Sequence, residues 1–289
     1  MARVKTRSVE LELEILGPEN AEAILLIMGV GAPLTRWRAD LCRLLVDSSY
    51  RVIRFDNRDC GLSTLIDAPA PDPQAIVSGG AEAPYSLWDM ADDTVGLMDA
   101  LGLERAHIVG ASMGGMVAQI IAAEHPERTA SLTSIMSTTG NPDLSPPRAD
   151  VLDFLLLPAP APDQNLTGFV EHKVKAAQLI GSPGFPTPVQ ELQEQIRFET
   201  ERRYTPQGVA RQMAAVWTAG DRRELLRTIK RPTVVLHGAD DPLIPADAGR
   251  DTAANIAGAE LHIIPGMGHD IAPGLIGQFA QSILRAARG

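Results

Sequence analysis

The sequence has few cysteines, a deficit of basic residues and no long apolar run, and each shortage excludes a class of protein. Two cysteines among 289 residues cannot build a disulfide framework, and we expect both to be free thiols in a reducing cytoplasm. The longest apolar run, Ala23 to Gly31, has nine residues, whereas a membrane-spanning helix needs about 20. The chain starts with no apolar signal segment after its first charges. We therefore expect a cytoplasmic protein that does not span a membrane.

Lysine and arginine number 26 against 36 aspartates and glutamates, which gives a net charge of −10. A nucleic-acid-binding protein needs a basic stripe to displace counterions from phosphates, and the sequence has none. No pair of histidines has the spacing of a zinc site, so we expect no metal. Hydrophobic residues make up 45% of the chain and charged residues 21%. This balance is typical of a globular protein and argues against disorder.

Short apolar runs alternate with helical patterns along most of the chain. Val9–Ile15 alternates apolar residues with glutamates and predicts a half-exposed strand. The run at 23–28 has no alternation, as in a strand buried on both faces, and further short runs follow at 51–56, 106–110, 132–136, 233–237 and 260–264. Ser86 and Asp89 resemble a capping box that begins a helix, and Gly102 would end it. The pattern predicts an α/β fold with a mostly parallel sheet flanked by helices.

The alternation stops between residues 141 and 220, where ten of the 22 prolines lie. Helical patterns occur at Ala149–Leu157, Leu166–Leu179 and Val189–Glu201, and no run is typical of a buried strand. Eighty residues are too many for a simple loop in a compact domain. We predict a core domain formed by residues 1–140 and 221–289, and a helical cap formed by residues 141–220, which we call the cap segment.

A candidate nucleophile lies in Gly110-Ala111-Ser112-Met113-Gly114, between a predicted strand and a predicted helix. A serine hydroxyl reacts only when a tight turn exposes it beside a base, and glycines two positions before and after it permit such a turn. The short motif is common by chance, so the strand–turn–helix context carries the prediction. We therefore predict that Ser112 is a nucleophile.

Such a serine needs a histidine base and a carboxylate, in the chain order serine, acid, histidine. Of six histidines, only His269 lies in a glycine-rich loop after the last predicted strand. The acid should follow the strand run 233–237, where two adjacent aspartates, Asp240 and Asp241, are both candidates. It would fix the tautomer of the imidazole and stabilise the imidazolium ion.

The reaction also needs two backbone N–H donors for the oxyanion. We predict that Met113, directly after the serine, and Val30, in the glycine loop after the strand run 23–28, supply them. A phosphate-binding role for that loop is disfavoured, because the third glycine of such a motif is absent at position 34.

These motifs resemble the α/β-hydrolase superfamily over nearly the whole chain, and among its members the capped carboxylesterases of the aclacinomycin methylesterase and pimeloyl-carrier-protein methylesterase type. The matching stretches are Met28-Gly29, Arg54–Thr64, Gly110–Met116, Asp241–Pro245 and Pro265–His269. The resemblance implies an eight-stranded sheet, a helical cap after the sixth strand, no cofactor, and Asp241 as the acid. It also implies a structural role for the charged loop with Asp56, Arg58 and Asp59. Met28 departs from the family's usual histidine, which changes the polarity near the leaving group.

The expected function is hydrolysis of small to medium apolar esters, including methyl esters of bulky acids, through an acyl-enzyme. The partners would be an ester and water, with no nucleic acid or membrane, and the chain would be a monomer or homodimer. Trp37, Phe154 and Trp217 are the predicted substrate-binding residues, and Cys60 is interpreted as a buried thiol rather than a nucleophile. Three alternatives fit the same residues: a cofactor-free haloperoxidase or perhydrolase, a carbon–carbon bond hydrolase, and a ligand-binding receptor of the same fold.

Overall fold

A computed structural model describes residues 2–77, 80 and 82–289. Its strands form one eight-stranded sheet in the order β1-β2-β4-β3-β5-β6-β7-β8. Strand β2 is antiparallel to both of its neighbours and all other pairs are parallel. The strands are β1 (Ala2–Lys5), β2 (Glu10–Leu16), β3 (Ala23–Ile27), β4 (Arg51–Phe55), β5 (Ala106–Ala111), β6 (Thr129–Ile135), β7 (Thr233–Gly238) and β8 (Glu260–Ile264). The predicted fold class, a mostly parallel eight-stranded sheet, is confirmed.

The helices lie between the strands and after the last one. They are α1 (Ala39–Asp47), α2 (Pro73–Val77), α3 (Leu87–Ala100), α4 (Met113–Glu124), α5 (Ala149–Leu155), α6 (Leu166–Ile180), α7 (Val189–Arg202), α8 (Pro206–Thr218), α9 (Arg223–Leu226), α10 (Ala246–Ala254) and α11 (Ile276–Arg288). None of the helices within the described ranges has both the length and the apolar character that crossing a membrane requires.

Two apolar layers cover the two faces of the sheet. In β3, Leu25 and Ile27 point into the layer that α3 and α4 form, while Ile24 and Leu26 point into the layer of α1 and α11. All four side chains are fully buried. This explains why the run at 23–28 shows no polar alternation: neither face of the central sheet meets water.

Strand β2 differs from the prediction in the burial of one glutamate. The alternation predicted that its glutamates are exposed, but Glu12 is only 6% exposed. The unpredicted strand β1 pairs with β2 and brings Arg3 to Glu12, with Nε 3.2 Å from Oε2. A strand neighbour and a cation therefore cover a position that the sequence pattern assigned to solvent.

The start and end of α3 follow the predicted signals. The Ser86 hydroxyl accepts the Asp89 N–H at 3.2 Å, and the Asp89 carboxylate accepts the Ser86 N–H at 2.8 Å, which completes the capping box. Gly102 follows the helix with φ +66°, a conformation that glycine adopts without strain.

The cap segment contains α5, α6, α7 and α8, inserted between β6 and β7. Helix α8 was not predicted, because buried polar residues such as Arg211 and Gln212 interrupt its apolar face. The division into core and cap domains stays a prediction. Its core range, 1–140, also includes Met1, Ser78, Gly79 and Ala81, which lie outside the described residues.

Helices α7 and α8 are fixed to the loop after β4 by buried ion pairs. Arg211 of α8 donates to both Asp59 oxygens at 2.6 and 2.8 Å. Arg202 of α7 lies 2.7 Å from Asp56, and the side chains of all four residues are at most 7% exposed. Removal of one partner from such a pair leaves an uncompensated buried charge, which typically destabilises a protein by about 3–5 kcal/mol. The charged loop therefore has the structural role that the resemblance implied.

The contact between α8 and this loop predicts the effect of a single methyl group. A Cβ atom at Gly208 would lie 2.0 Å from the carbonyl oxygen of Asp59, so Gly208→Ala must push α8 away from the loop. We expect a loss of about 1–3 kcal/mol in the free energy of unfolding, measured by urea denaturation. Gly277→Ala in α11 is the control: its Cβ would meet nothing within 4 Å, so stability should be unchanged or slightly higher. Equal stability of the two variants would contradict this packing.

Two histidines on the strands are buried, and burial lowers the pKa of both His107 and His237. In the folded protein these imidazoles therefore bind protons only at a lower pH than in the unfolded chain, where they do so below about pH 6.5. Because the unfolded state then binds more protons, the stability present at pH 7.5 falls as the pH drops.

For His237, the lost stability between pH 7.5 and 5.5 amounts to at most about 1.4 kcal/mol. We expect His237→Gln to reduce the difference in unfolding free energy between these two pH values by up to that amount. Wild type, measured at the same two pH values, is the reference. An unaltered pH dependence in His237→Gln would show that this imidazole is protonated equally in both states.

Candidate active site

Ser112 occupies the turn between β5 and α4 in a conformation that few residues adopt. Its φ and ψ are 56° and −122°, a strained backbone of the kind found at functional sites. Neither glycine of the motif could carry a side chain: a Cβ at Gly110 would lie 2.0 Å from Gly114 O, and one at Gly114 2.1 Å from Ile27 O. The glycines therefore allow the sharp bend that lifts the serine hydroxyl out of the sheet.

His269 follows β8 in the predicted glycine-rich loop, where Gly266 has φ +78°. Its side chain is brought to the serine, with the Ser112 hydroxyl 3.0 Å from His269 Nε2. His269 is only 8% exposed, so its imidazole is largely enclosed by the protein. The ring is oriented by its other nitrogen, because Nδ1–H donates to Asp241 Oδ2 at 2.7 Å.

Of the two adjacent aspartates, the structure brings Asp241 to the histidine. The other oxygen of Asp241 accepts the backbone N–H groups of Leu243 and Ile244 at 2.9 and 2.8 Å. Asp240 points elsewhere and accepts the N–H of Gly266 at 2.7 Å. These backbone bonds hold the Asp241 carboxylate so that one oxygen remains directed at the imidazole.

The three side chains converge because their strands are parallel. Strands β5, β7 and β8 end at the same edge of the sheet, and Ser112, Asp241 and His269 lie in the loops that follow them. His237 lies beneath the carboxylate, with Nε2 3.7 Å from Asp241 Oδ2, and donates to Ile244 O at 2.8 Å. Since burial lowers the pKa of His237, it stays neutral and leaves the Asp241 charge to His269.

The cap segment fixes the loop that carries the histidine. In the stretch at 180–184, Ile180 O accepts the backbone N–H of His269 at 2.7 Å, and Ser182 Oγ accepts that of Gly268 at 2.9 Å. Ser182 in turn donates to Asp270 Oδ1 at 2.5 Å. Burial raises the pKa of Asp270, and the Ser182 hydrogen bonds compensate part of its lost hydration.

The two predicted oxyanion donors flank the serine. Met113 is the first residue of α4, so its N–H has no acceptor within the helix. The loop that carries Val30 lies against the nucleophile, since a Cβ at Gly29 would be 3.5 Å from Ser112 Oγ and 3.0 Å from its Cβ. Val30, Ser112 and Met113 line the same cavity, and the role of the two backbone groups as oxyanion donors stays a prediction.

A cavity of about 1060 Å³ opens above the serine and histidine. Its wall is largely apolar, and every helix of the cap segment contributes to it. Lining side chains include Met28, Met116, Leu152, Ile180, Leu192, Met213, Val216 and Trp217. Such a cavity suits an apolar ligand, since small-molecule sites are mostly apolar with few polar groups.

The structure places only one of the three predicted substrate-binding aromatic residues in this cavity. Trp217 lines it and is 43% exposed. The prediction was wrong for Trp37, which is fully buried in the core between α1 and α11. It was also wrong for Phe154, whose ring stacks on His172 with centroids 4.8 Å apart, away from the cavity wall. Aromatic composition alone does not reveal which residues tertiary packing turns inward.

Cys60 is 1% exposed, and burial raises the pKa of its thiol, which disfavours the reactive thiolate. Among residues 2–77, 80 and 82–289, no group of three or more histidine, cysteine or carboxylate side chains is arranged to hold a metal ion.

Sequence reasoning missed the polar residues that support the site from the cap segment, above all Ser182 and Gln212. Both are buried, at 2% and 0% exposure. Gln212 could have been found as a glutamine within the apolar face of a helix, but α8 was not predicted and the signal was therefore missed. Ser182 lies in an irregular loop and has no such signal.

Comparison with known proteins places the chain in a family. Residues 22–272 match the family model described as alpha/beta hydrolase fold. A Caulobacter sp. (strain K31) protein named as a carbamate hydrolase, RutD, is 32% identical, over 88% of this chain and 86% of its own. Rhodomycin D methylesterase DnrP of Streptomyces peucetius is 26% identical, over 90% of this chain and 89% of its own.

Among solved structures, an enol-lactonase from Burkholderia xenovorans LB400 superposes with a TM-score of 0.73 at 23% identity, covering 100% of both chains. At that identity the likeness concerns the fold alone. Because the family model spans most of the chain and the sheet has the matching architecture, this protein belongs to the α/β-hydrolase family.

Proposed function

We propose that this protein is a serine hydrolase that cleaves carboxylic esters through an acyl-enzyme. The observation that carries the proposal is the continuous hydrogen-bonded chain from the Ser112 hydroxyl through His269 to Asp241, at 3.0 and 2.7 Å. A nucleophile, its base and an orienting carboxylate within hydrogen-bonding reach are the requirement for acyl transfer.

In the first half of the reaction, Ser112 Oγ bonds to the ester carbonyl carbon while His269 Nε2 takes the hydroxyl proton. The carbonyl π electrons move to the oxygen, and the N–H groups of Val30 and Met113 stabilise the resulting anion. As the tetrahedral intermediate collapses, the C–O bond to the alcohol breaks and His269 returns the proton to the leaving oxygen. Asp241 stabilises the imidazolium ion throughout.

In the second half, a water molecule gives a proton to His269 and attacks the acyl carbon. The collapse of this second intermediate breaks the bond to Ser112 Oγ, which recovers its proton from His269. The acid is released and the enzyme is regenerated. No redox step or external cofactor is needed for this balance of atoms.

The proposed substrates are apolar esters of medium size, including methyl esters of bulky acids. The apolar wall and the cavity volume of about 1060 Å³ support a large acyl group. This volume exceeds the roughly 300–1,000 Å³ that is common for small-molecule pockets. The relative named as a rhodomycin D methylesterase also supports a methyl ester as substrate. Met28, which lines the cavity in place of the family's usual histidine, favours an apolar group nearby.

The nucleophile is tested by Ser112→Ala. We expect turnover of a chromogenic short-chain ester to fall by at least about 10⁴-fold, because no other side chain can form the acyl-enzyme. A fluorophosphonate should label the wild-type protein on Ser112, as located by peptide mass spectrometry, and should not label the variant. Ser282→Ala removes another buried hydroxyl, on α11, and should keep full turnover. Undiminished hydrolysis by Ser112→Ala would reject the proposal.

The adjacent aspartates provide a matched test of the acid. Asp241→Asn should lower kcat by about 10³–10⁴-fold, because an amide cannot hold the imidazole in the required tautomer or stabilise its cation. Asp240→Asn removes a charge one residue away, from a carboxylate that contacts Gly266 N, and should lower kcat less than about tenfold. Equal losses in steady-state kinetics would contradict the assignment of Asp241.

A further inference from the structure

The side chain of Gln212 on α8 connects the cap segment to the loop that carries Val30. Its Oε1 accepts the backbone N–H of Gly31 at 2.7 Å, and its Nε2 donates to Arg58 O at 2.7 Å. Gln212 is completely buried. It does not line the cavity, so its contacts are with the protein rather than with a substrate.

These contacts determine how the loop presents Val30. Ala32 N–H donates to Gly29 O at 3.3 Å, and Gly31, the second central residue, has φ +63° while Val30 has no positive φ. This is a type II turn, which differs from a type I turn in the orientation of its central peptide. That peptide carries the Gly31 N–H, so the bond to Gln212 fixes its orientation.

A second buried amide holds the other end of the same loop. Asn57 Nδ2 donates to Met28 O at 2.9 Å, and Asn57 is 2% exposed. The Gly29–Val30 peptide, which contains the Val30 N–H, thus lies between two fixed points, Met28 O and Gly31 N. Arg58 O, the second partner of Gln212, directly follows Asn57 in the chain, so one short segment supports both amide side chains.

We infer that Gln212 is a positioning residue for the oxyanion hole, which makes helix α8 a part of the hydrolytic machinery. The inference rests on the proposed function. Without the glutamine, the Gly31 N–H loses its acceptor, and the central peptide of the turn can rotate to find another. The Val30 N–H then leaves the direction of the oxyanion, although every reacting side chain remains in place.

The expected loss follows from this role. Complete removal of one oxyanion donor typically lowers kcat by about 10²–10³-fold, and a displaced donor should have a smaller effect. Gln212→Met keeps the length and volume of the side chain but removes both hydrogen bonds. We expect kcat to fall by about 10–100-fold and KM to change by less than about threefold, since the stabilisation exists only in the transition state.

Gln119→Met is the matched control. Gln119 is also fully buried, lies on α4 and bonds through Nε2 to Ser134 Oγ at 3.1 Å. This variant also loses a buried side-chain amide, but at a position that does not contact the loop carrying Val30. Its kcat should therefore stay within about threefold of wild type. Active-site titration with a fluorophosphonate corrects both rates for any unfolded fraction.

An inhibitor pair separates positioning from a general structural role. A trifluoromethyl ketone forms a tetrahedral adduct with the serine and places an oxyanion in the hole, whereas the corresponding methyl ketone binds without reaction. In Gln212→Met, the Ki of the trifluoromethyl ketone should rise by the same factor by which kcat/KM falls, and that of the methyl ketone should not change. Equal weakening of both inhibitors, or an unchanged kcat, would overturn the inference.

A second variant and the reactivity of wild type distinguish the remaining outcomes. If Gln212→Met does not fold, Gln212→Asn replaces it, because an amide one methylene shorter cannot span Gly31 N and Arg58 O, and the same losses are expected. If wild type hydrolyses esters through Ser112 but the glutamine variants match it, only the positioning role fails. If wild-type Ser112 does not react with the fluorophosphonate, the proposed function fails and this inference falls with it.

Discussion

The close approach of three backbone segments at the β5–α4 turn is the constraint on which the rest of the structure depends. Gly110, Gly114 and the end of β3 are in contact at distances that no Cβ atom would permit. This packing holds Ser112 at φ 56°, a conformation that is maintained only because the surrounding sheet leaves no alternative. The same packing brings the loop after β3 against the serine. The positions of Ser112 and of the loop that carries Val30 are therefore set by one contact.

The local parts of this arrangement were predictable from the sequence. The glycines around Ser112, the capping box at Ser86 and the glycine-rich loop before His269 act over a few residues, so their signals are visible in the chain. The parallel sheet then brings together the ends of strands that are distant in sequence. The spacing, however, did not distinguish Asp240 from Asp241 as the partner of His269. That partner depends on which carboxylate accepts the N–H groups of the following turn.

The parts that sequence reasoning missed or mistook depend on long-range contacts. Trp37 is buried in the core cluster to which α1 and α11 contribute, and no neighbouring residue in the sequence indicates this. Helix α8 was missed because Arg211 and Gln212 interrupt its apolar face, yet their partners, Asp59 and Gly31, lie more than 150 positions earlier in the chain. Polar residues that are buried for a tertiary reason weaken the very pattern from which a helix is predicted.

The cap segment contacts both loops that surround the serine, and it does so through polar groups at its base. Ile180 and Ser182 accept N–H groups of the histidine loop, and Gln212 accepts that of the oxyanion loop. The surfaces that α5 to α8 turn toward the cavity are instead largely apolar. Because hydrogen bonds are directional while apolar contacts are not, the base of the segment fixes geometry and its inner wall supplies affinity. Under the proposed ester hydrolysis, substitutions in the wall therefore change the preferred ester without moving Ser112, Asp241 or His269.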